Sequence, residues 1–174
     1  MIELEKTYLA KYLPENLPNC ERKEVIDVYL PKASEHPVLR LRKNGDKYVM
    51  TKKEPVVEGD SSEMLEQTIK LTEAEFKDLN RQLDGRRVSK IRYQYDYNGH
   101  VAEIDVFQEE LRGLVVVDFE FETVEAKNNF EMPEFCLAEV TQEKFIAGGM
   151  LCGKSYDDIE KDLERFNYSK IDRF

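Results

Sequence analysis

Long hydrophobic runs, a basic excess and paired cysteines are all missing from this sequence of 174 residues. No apolar stretch approaches the roughly 20 residues that a membrane-spanning helix needs. The net charge of −10 argues against a surface built for nucleic acid, which normally carries a basic excess. The three cysteines are odd in number and follow no metal-binding spacing, so we expect free thiols in a reducing cytoplasm. The acidic, strand-like segment 1–5 predicts no signal peptide.

Internal repeats and linker-like tracts are also absent, so we expect one domain over residues 1–174. The two histidines, His36 and His100, lie in predicted loops or turns far apart in the chain and are not expected to be catalytic. What the sequence has in abundance is charge, because 36% of its residues are Asp, Glu, Lys or Arg, against a usual quarter. The order of these residues along the chain indicates whether they all lie on a solvated surface or whether some lie inside the fold.

Period-two alternation of apolar and polar residues dominates the chain and predicts strands. We place them near residues 2–9, 24–30, 38–43, 46–53, 64–70, 88–97, 100–108 and 114–124. Asn44-Gly45 and Asn98-Gly99 each join two of these runs, as the type I′ turn of a hairpin does.

Three helices are predicted between or after the strands. Thr72 and Glu75 form a capping box, after which Phe76, Leu79 and Leu83 give an apolar face. Thr141 is expected to start a short helix that ends at Gly148-Gly149. Ser155 is expected to cap a third helix with an apolar stripe formed by Ile159, Leu163 and Phe166. The fold class is therefore α+β and mainly antiparallel, with eight strands closing into a barrel and the helices packed outside.

The charged residues of the predicted strands are sorted by sign. Side chains two positions apart share a face of a strand, and each charged strand presents one sign on that face. The acidic strands carry Glu3 and Glu5, Glu66, Glu103 and Asp105, and Asp118, Glu120 and Glu122. The basic strands carry Arg40 and Arg42, Lys52, and Lys90 and Arg92. A solvated sheet normally mixes the signs, because like charges repel at close range.

A complex of polyphosphate and divalent metal would explain this separation. Mg²⁺ or Mn²⁺ prefers carboxylate and phosphate oxygens, which predicts a metal-binding wall of Glu3, Glu5, Asp118 and Glu120. Phosphates prefer guanidinium and ammonium groups, which predicts a second wall of Arg40, Arg42, Lys52, Lys90 and Arg92. The chain has no Gly-x-x-x-x-Gly-Lys loop, so side chains would have to hold the phosphates. The barrel would then be polar inside, with Val115, Val117, Phe119 and Phe121 facing outward beneath the helices.

These segments resemble the CYTH superfamily, also called triphosphate tunnel metalloenzymes, which includes class IV adenylyl cyclases, thiamine triphosphatases and bacterial inorganic tripolyphosphatases. The matching motifs occur in order along most of the chain: Glu3-Leu4-Glu5, Arg40-Leu41-Arg42, Thr51-Lys52, Lys90-Ile91-Arg92-Tyr93, Glu103-Ile104-Asp105, Gly113-Leu114 before Asp118-Phe119-Glu120, Glu139-Val140-Thr141 and Gly153-Lys154.

The resemblance implies roles for the matching residues. Mg²⁺ or Mn²⁺ would be held by Glu3, Glu5, Asp118 and Glu120, with Asp105 close by. The triphosphate would be bound by Arg40, Arg42, Lys52, Lys90 and Arg92, joined by Lys154 and by Glu66 at a charged family position. Among these, Glu3, Glu5, Lys52 and Arg92 are the predicted catalytic residues. The lysine of the family's Glu-x-Glu-x-Lys motif falls on Thr7, while Lys6 points to the opposite face of the strand. Lys11 is a candidate replacement.

Three functions follow from these predictions. The first is metal-dependent hydrolysis of a triphosphate, with inorganic tripolyphosphate as the leading substrate and ATP and thiamine triphosphate as further candidates. The second is an adenylyl cyclase, and the third is a non-catalytic binder of polyphosphate or nucleotide, which the loss of the motif lysine favours. No nucleic-acid or membrane partner is expected, and the resemblance leaves a homodimer open.

Overall fold

The computed structural model describes residues 2–83 and 85–172. Within these residues the chain forms nine strands: β1 Ile2–Ala10, β2 Glu21–Leu30, β3 Leu39–Asn44, β4 Lys47–Pro55, β5 Glu63–Leu71, β6 Arg86–Tyr97, β7 His100–Phe107, β8 Val115–Phe121 and β9 Cys136–Glu139. The same residues form four α-helices: α1 Glu73–Gln82, α2 Val124–Asn129, α3 Gly148–Leu151 and α4 Tyr156–Glu164. None of these helices has the length and apolar character needed to cross a membrane.

Eight of the strands close into an antiparallel barrel, as the sequence predicted. The hydrogen-bonded order is β5-β4-β3-β2-β6-β7-β8-β1, and the first half of β1 also pairs with β5, which joins the two edges. The second half of β1 pairs with β9, which is an additional strand outside the closed ring. β1 therefore pairs with two strands of the barrel, β8 on one side and the closing strand β5 on the other.

Much of the outer face of the barrel is apolar and covered. Tyr8, Ile104 and Phe119 pack in one outer cluster with Leu17 and Phe135 from the connecting segments. Phe76 of α1 packs on Val28 and Leu41 on another side. Val115, Val117, Phe119 and Phe121 are all buried in the outer cluster, so the prediction of an inverted barrel is confirmed.

One end of the barrel is closed by an apolar plug. Leu9, Tyr29, Phe107 and Val116 share the inner face of their strands with the charged residues and form a single cluster with side chains of α3 and α4. Contributors from these helices are Leu151, Ile159 and Leu163, each at most 1% exposed. The charged interior is consequently a cup with its opening at the other end, where Glu3 and Glu120 lie.

The two capped helices agree with the sequence predictions. Thr72 and Glu75 form the expected capping box of α1, and Ser155 caps α4 in the same way with Asp158. Ile159 and Leu163 are buried, and Phe166 packs against the same cluster. These ends were predictable because the capping residues are neighbours in sequence.

The helix expected from Thr141 was wrong. The Thr141 hydroxyl accepts a hydrogen bond from the backbone N–H of Thr7, so it is not free to cap a helix. Helical residues begin only with a 3₁₀ turn at Lys144–Ile146 and with α3. Gly148-Gly149 starts α3 instead of ending a helix. Glycine is needed at position 149 because a Cβ there would overlap the carbonyl oxygen of Pro37.

Strand β8 ends three residues earlier than predicted, at Phe121. Thr123 then caps α2, which the sequence analysis missed, by accepting a hydrogen bond from the N–H of Ala126. Both predicted hairpins are present. Asn98 and Gly99 have φ of 52° and 81°, as in a type I′ turn. The other turn is centred one residue later than predicted, on 45–46, because Asn44 pairs with Lys47.

Candidate functional site

The predicted metal-binding residues all face the interior of the barrel. Glu5 lies opposite Glu120 on the neighbouring strand, and Asp118 lies opposite both Thr7 and Glu103. Directly opposed residues of an antiparallel pair project from the same face, which places these carboxylates side by side. Glu3 occupies the same face two residues before Glu5, nearer the open end.

Burial and the crowding of carboxylates shift three pKa values in this row. Burial, together with the charges of Asp118, Glu3 and Glu120, raises the pKa of Glu5 to about 7 even though Lys53 opposes the shift. Burial and the nearby Asp105 raise the pKa of Asp118. Burial and the charge of Glu103 raise the pKa of Glu120. Burial and mutual repulsion therefore both disfavour the ionised form of these three carboxylates.

This donor set fits a divalent metal ion by its chemistry. Crowded, mutually repelling carboxylates gain most from a small cation of high charge, and oxygen ligands suit Mg²⁺ and Mn²⁺. Among the described residues, no three Asp, Glu, His or Cys side chains are already arranged to hold a metal. Glu3, Glu5, Asp118 and Glu120 would have to draw together on binding.

The basic wall is organised around a buried aspartate that the sequence analysis missed. Arg42 donates to both carboxylate oxygens of Asp27, over 2.6 Å from Nε and 2.7 Å from Nη2. The Nε atom of Arg40 lies 4.0 Å from the same carboxylate and lacks a hydrogen-bond partner. Burial would raise the pKa of Asp27, but the charge and hydrogen bonds of Arg42 hold it well below its usual value. Asp27 therefore holds Arg42 in place, while the Nε–H of Arg40 stays available to bind an anion.

Asp105 plays a similar part for Lys90 and Arg92. Arg92 donates to its two oxygens over 2.7 Å and 2.6 Å, and Lys90 forms an ion pair with one of them. Although Asp105 is buried, these cations lower its pKa to about 2. Arg92 also contacts Glu103 and lies 3.6 Å from Asp118. Asp105, predicted close to the metal, is thus engaged as a counter-ion of the basic residues.

The structure corrects the prediction for Lys52, whose side chain points out of the barrel. Its Nζ atom pairs with Glu54 at 2.9 Å, and the side chain is 45% exposed. The reason is the register of β4, in which Thr51 lies opposite Arg40 and Lys53 opposite Glu66. A two-residue turn pairs even-numbered residues of β3 with odd-numbered ones of β4. The predicted hairpin therefore already contained the signal that Lys53, and not Lys52, shares a face with Arg40.

Lys53 is the lysine of β4 that enters the interior. Its Nζ atom forms an ion pair with Glu3 and lies 3.7 Å from Glu5 and 3.5 Å from Glu66. Glu66 faces the interior as predicted and accepts a hydrogen bond from Thr68 over 2.6 Å. Lys53 thus lies beside the carboxylates that the motif lysine was expected to accompany.

Thr7 faces the interior and bonds to the acidic row. Its hydroxyl donates to Asp118 Oδ1 over 2.8 Å, while its backbone N–H is held by Thr141 over 3.0 Å. Lys6 points outside, as expected, with its ammonium 3.6 Å from Glu139 of β9. Lys11, the candidate replacement, is exposed just beyond β1.

Lys154 is not brought together with the other predicted site residues. It lies in the connection between α3 and α4, the two helices that contribute to the apolar plug, where its charge acts on Cys152 and Asp158. A surface recess of about 520 Å³ lies at the open end, beside Glu103, Glu120 and His100. No lysine or arginine of the described residues lines it, so it does not offer a triphosphate site.

Comparisons with known proteins give a consistent picture. A family model described as the CYTH domain matches residues 18–139. The chain is 32% identical over 145 residues, 83% of its length and 92% of the relative's, to a protein named inorganic triphosphatase from Nitrosomonas europaea. A solved structure of the inorganic triphosphatase NE1496 has a TM-score of 0.62 at 28% identity, covering 86% of this chain and 93% of that one. The PH1012 protein from Pyrococcus horikoshii, at 16% identity, shares the fold with a TM-score of 0.51 over 99% and 96% of the two chains.

Proposed function

Because the chain belongs to the CYTH domain family, we propose that it is a divalent-metal-dependent triphosphatase that releases phosphate from inorganic tripolyphosphate. The observation that carries this proposal is the charged interior, in which a row of carboxylates faces a row of cations inside a closed barrel. The name of the Nitrosomonas europaea relative supports tripolyphosphate as the substrate. ATP and thiamine triphosphate are the substrates to compare with it.

Glu3, Glu5, Asp118 and Glu120 are proposed to bind Mg²⁺ or Mn²⁺, which supplies polarisation of phosphoryl oxygens when bound. Arg40, Arg42, Lys53, Lys90 and Arg92 bind the triphosphate and neutralise charge that gathers on the transferred and leaving phosphates. Asp27 and Asp105 hold Arg42 and Arg92 in place. The substrate enters end-on from the open side, because the apolar plug closes the other end.

A binder without turnover is a second candidate, and Thr7 is the observation that favours it. A neutral hydroxyl stands where the family motif has a cation, so one positive charge is missing beside Asp118. Lys53 supplies an ammonium to Glu3 and Glu5 but not to Asp118. The two candidates differ in turnover and agree in ligand.

Product analysis separates these functions. Phosphate and pyrophosphate release is measured from tripolyphosphate, ATP and thiamine triphosphate with Mg²⁺ and with Mn²⁺. Phosphate from tripolyphosphate is the expected result, whereas pyrophosphate with a cyclic nucleotide would identify a cyclase. Stabilisation by tripolyphosphate without turnover would identify the binder. Glu5→Gln is expected to abolish metal-dependent activity, while unchanged activity in that variant would refute the site.

The location and assembly are also proposals. The three cysteines are free, which supports a reducing cytoplasm. A homodimer stays a prediction, which light scattering on the purified protein would test.

A further inference from the structure

Three carboxylates of the interior converge on one ammonium group. Lys53 pairs with Glu3 and lies within 3.7 Å of Glu5 and 3.5 Å of Glu66. Two of these carboxylates, Glu3 and Glu5, are proposed metal ligands. An ammonium that already neutralises such ligands competes with any cation that needs them.

The position of Lys53 is determined by the strand register of the barrel, because the residue lies within a paired strand and not in a surface loop. Its side chain is 23% exposed, and its strand register places it directly opposite Glu66. Thr7 contributes no charge to this cluster, and Lys6 and Lys52 lie on the outer face. Around Glu3 and Glu5 the described residues place Lys53 within ion-pair distance, where it counters their repulsion.

We propose that Lys53 is a displaceable counter-ion, whose ammonium pairs with Glu3, Glu5 and Glu66 in the metal-free protein and leaves when a divalent cation binds. After displacement the ammonium is available to an oxygen of the triphosphate. This role rests on the proposed function, since it concerns the same carboxylates and the same substrate. It adds a competition between an internal cation and the metal.

This competition predicts that removing Lys53 changes metal affinity and triphosphate affinity in opposite directions. Removing Lys53 should strengthen metal binding in the absence of substrate, because one competitor and one repelling charge are lost. The same change should weaken triphosphate binding to the metal-loaded protein, because a phosphate partner is lost. A lysine that only contacts phosphate would weaken triphosphate binding and leave metal affinity unchanged.

The test compares Lys53→Met with the matched control Lys52→Met. Both variants remove one positive charge from adjacent positions, but Lys52 lies outside the barrel. Mn²⁺ affinity is measured by calorimetry without substrate, at a pH near 8.

We expect about tenfold tighter Mn²⁺ binding in Lys53→Met, because a close, partly buried like charge has been removed. Lys52→Met should stay within about twofold, because solvent screens its charge. Equal or weaker binding in Lys53→Met, or an equal gain in Lys52→Met, would overturn the proposal.

A measurement on the unaltered protein covers the case in which Lys53→Met does not fold. Acylation of lysine amines is followed by mass spectrometry with and without Mn²⁺. Mn²⁺ should increase modification of Lys53 several-fold and leave Lys52 unchanged, whereas equal modification of Lys53 would refute displacement. The proposed function fails separately, through absent turnover in the unaltered protein. If Mn²⁺ binds neither that protein nor Lys53→Met, both proposals fall.

Discussion

Asp27 holds the basic wall together, so replacing it with asparagine should strongly destabilise the fold. The side chain is 1% exposed, and both of its oxygens accept hydrogen bonds from Arg42. Removing one partner of a buried ion pair leaves the other charge uncompensated, which typically costs about 3–5 kcal/mol. An asparagine oxygen can still accept one bond from Arg42, so we expect about 3 kcal/mol, the lower end of this range.

Urea unfolding at pH 7 measures this loss. The surface pair Lys43–Glu24, at 2.9 Å, offers a control, because Glu24→Gln should cost less than about 1 kcal/mol. The double variant Asp27→Asn with Arg42→Met removes both charges and should lose less stability than the two single losses added together. A loss below about 1 kcal/mol in Asp27→Asn would contradict the idea that the ion pair organises this wall.

The pH dependence of the same variant gives a second test. The pKa of Asp27 in the folded protein lies below its ordinary value of 3.8, so the ion pair stabilises the fold fully above that value. Its contribution is lost as the pH falls through the region below 4 towards the folded pKa. The stability difference between the unaltered protein and Asp27→Asn should therefore be constant from pH 5 to 8 and shrink below about pH 4. A difference that is as large at pH 2.5 as at pH 7 would contradict the assignment.

Three further predictions concern other parts of the barrel. Thr7→Val should lose about 1–3 kcal/mol of unfolding free energy, because the partly buried hydrogen bond to Asp118 is removed, while Thr7→Ser should stay close to the unaltered protein in the same urea titration. Gly149→Ala should lower the melting temperature by forcing α3 away from Pro37, yet leave Mn²⁺ affinity unchanged because the plug lies at the other end. Tripolyphosphate should raise the melting temperature only when Mg²⁺ or Mn²⁺ is present, and equal stabilisation in EDTA would contradict a joint metal and phosphate site.

The strands and their closure were predictable because a charged interior makes the alternation of residue types unusually clear. Each inward position of β1 and β8 near the opening is acidic, and each outward position of β8 is apolar, so the period of two is visible without any partner strand. The ends of α1 and α4 were predictable for a related reason, since each capping box spans only four residues.

The features that the sequence did not predict correctly depend on partners that are distant in the chain. Asp27 sits in an apolar run, and its importance appears only when β3 places Arg42 opposite to it. The residues around Thr141 predict a helix cap, but its hydroxyl accepts a hydrogen bond from the N–H of Thr7 in β1, 134 residues away. The residue pattern of β4 alone does not distinguish Lys52 from Lys53, whereas the register of the hairpin turns Lys53 inward. Register and tertiary hydrogen bonds decide these cases, and neither is local.

The charge balance of the interior explains why its two rows form one site. Eight carboxylates meet in the interior cluster: Glu3, Glu5, Asp27, Glu66, Glu103, Asp105, Asp118 and Glu120. Five cations face them: Arg40, Arg42, Lys53, Lys90 and Arg92. A triphosphate alone would add negative charge to a cup that is already negative, whereas a divalent cation is attracted from the start. We therefore expect the metal to bind before the triphosphate, because a divalent cation offsets most of this excess negative charge. In this order of binding the acidic row is what allows the basic row to receive a phosphate.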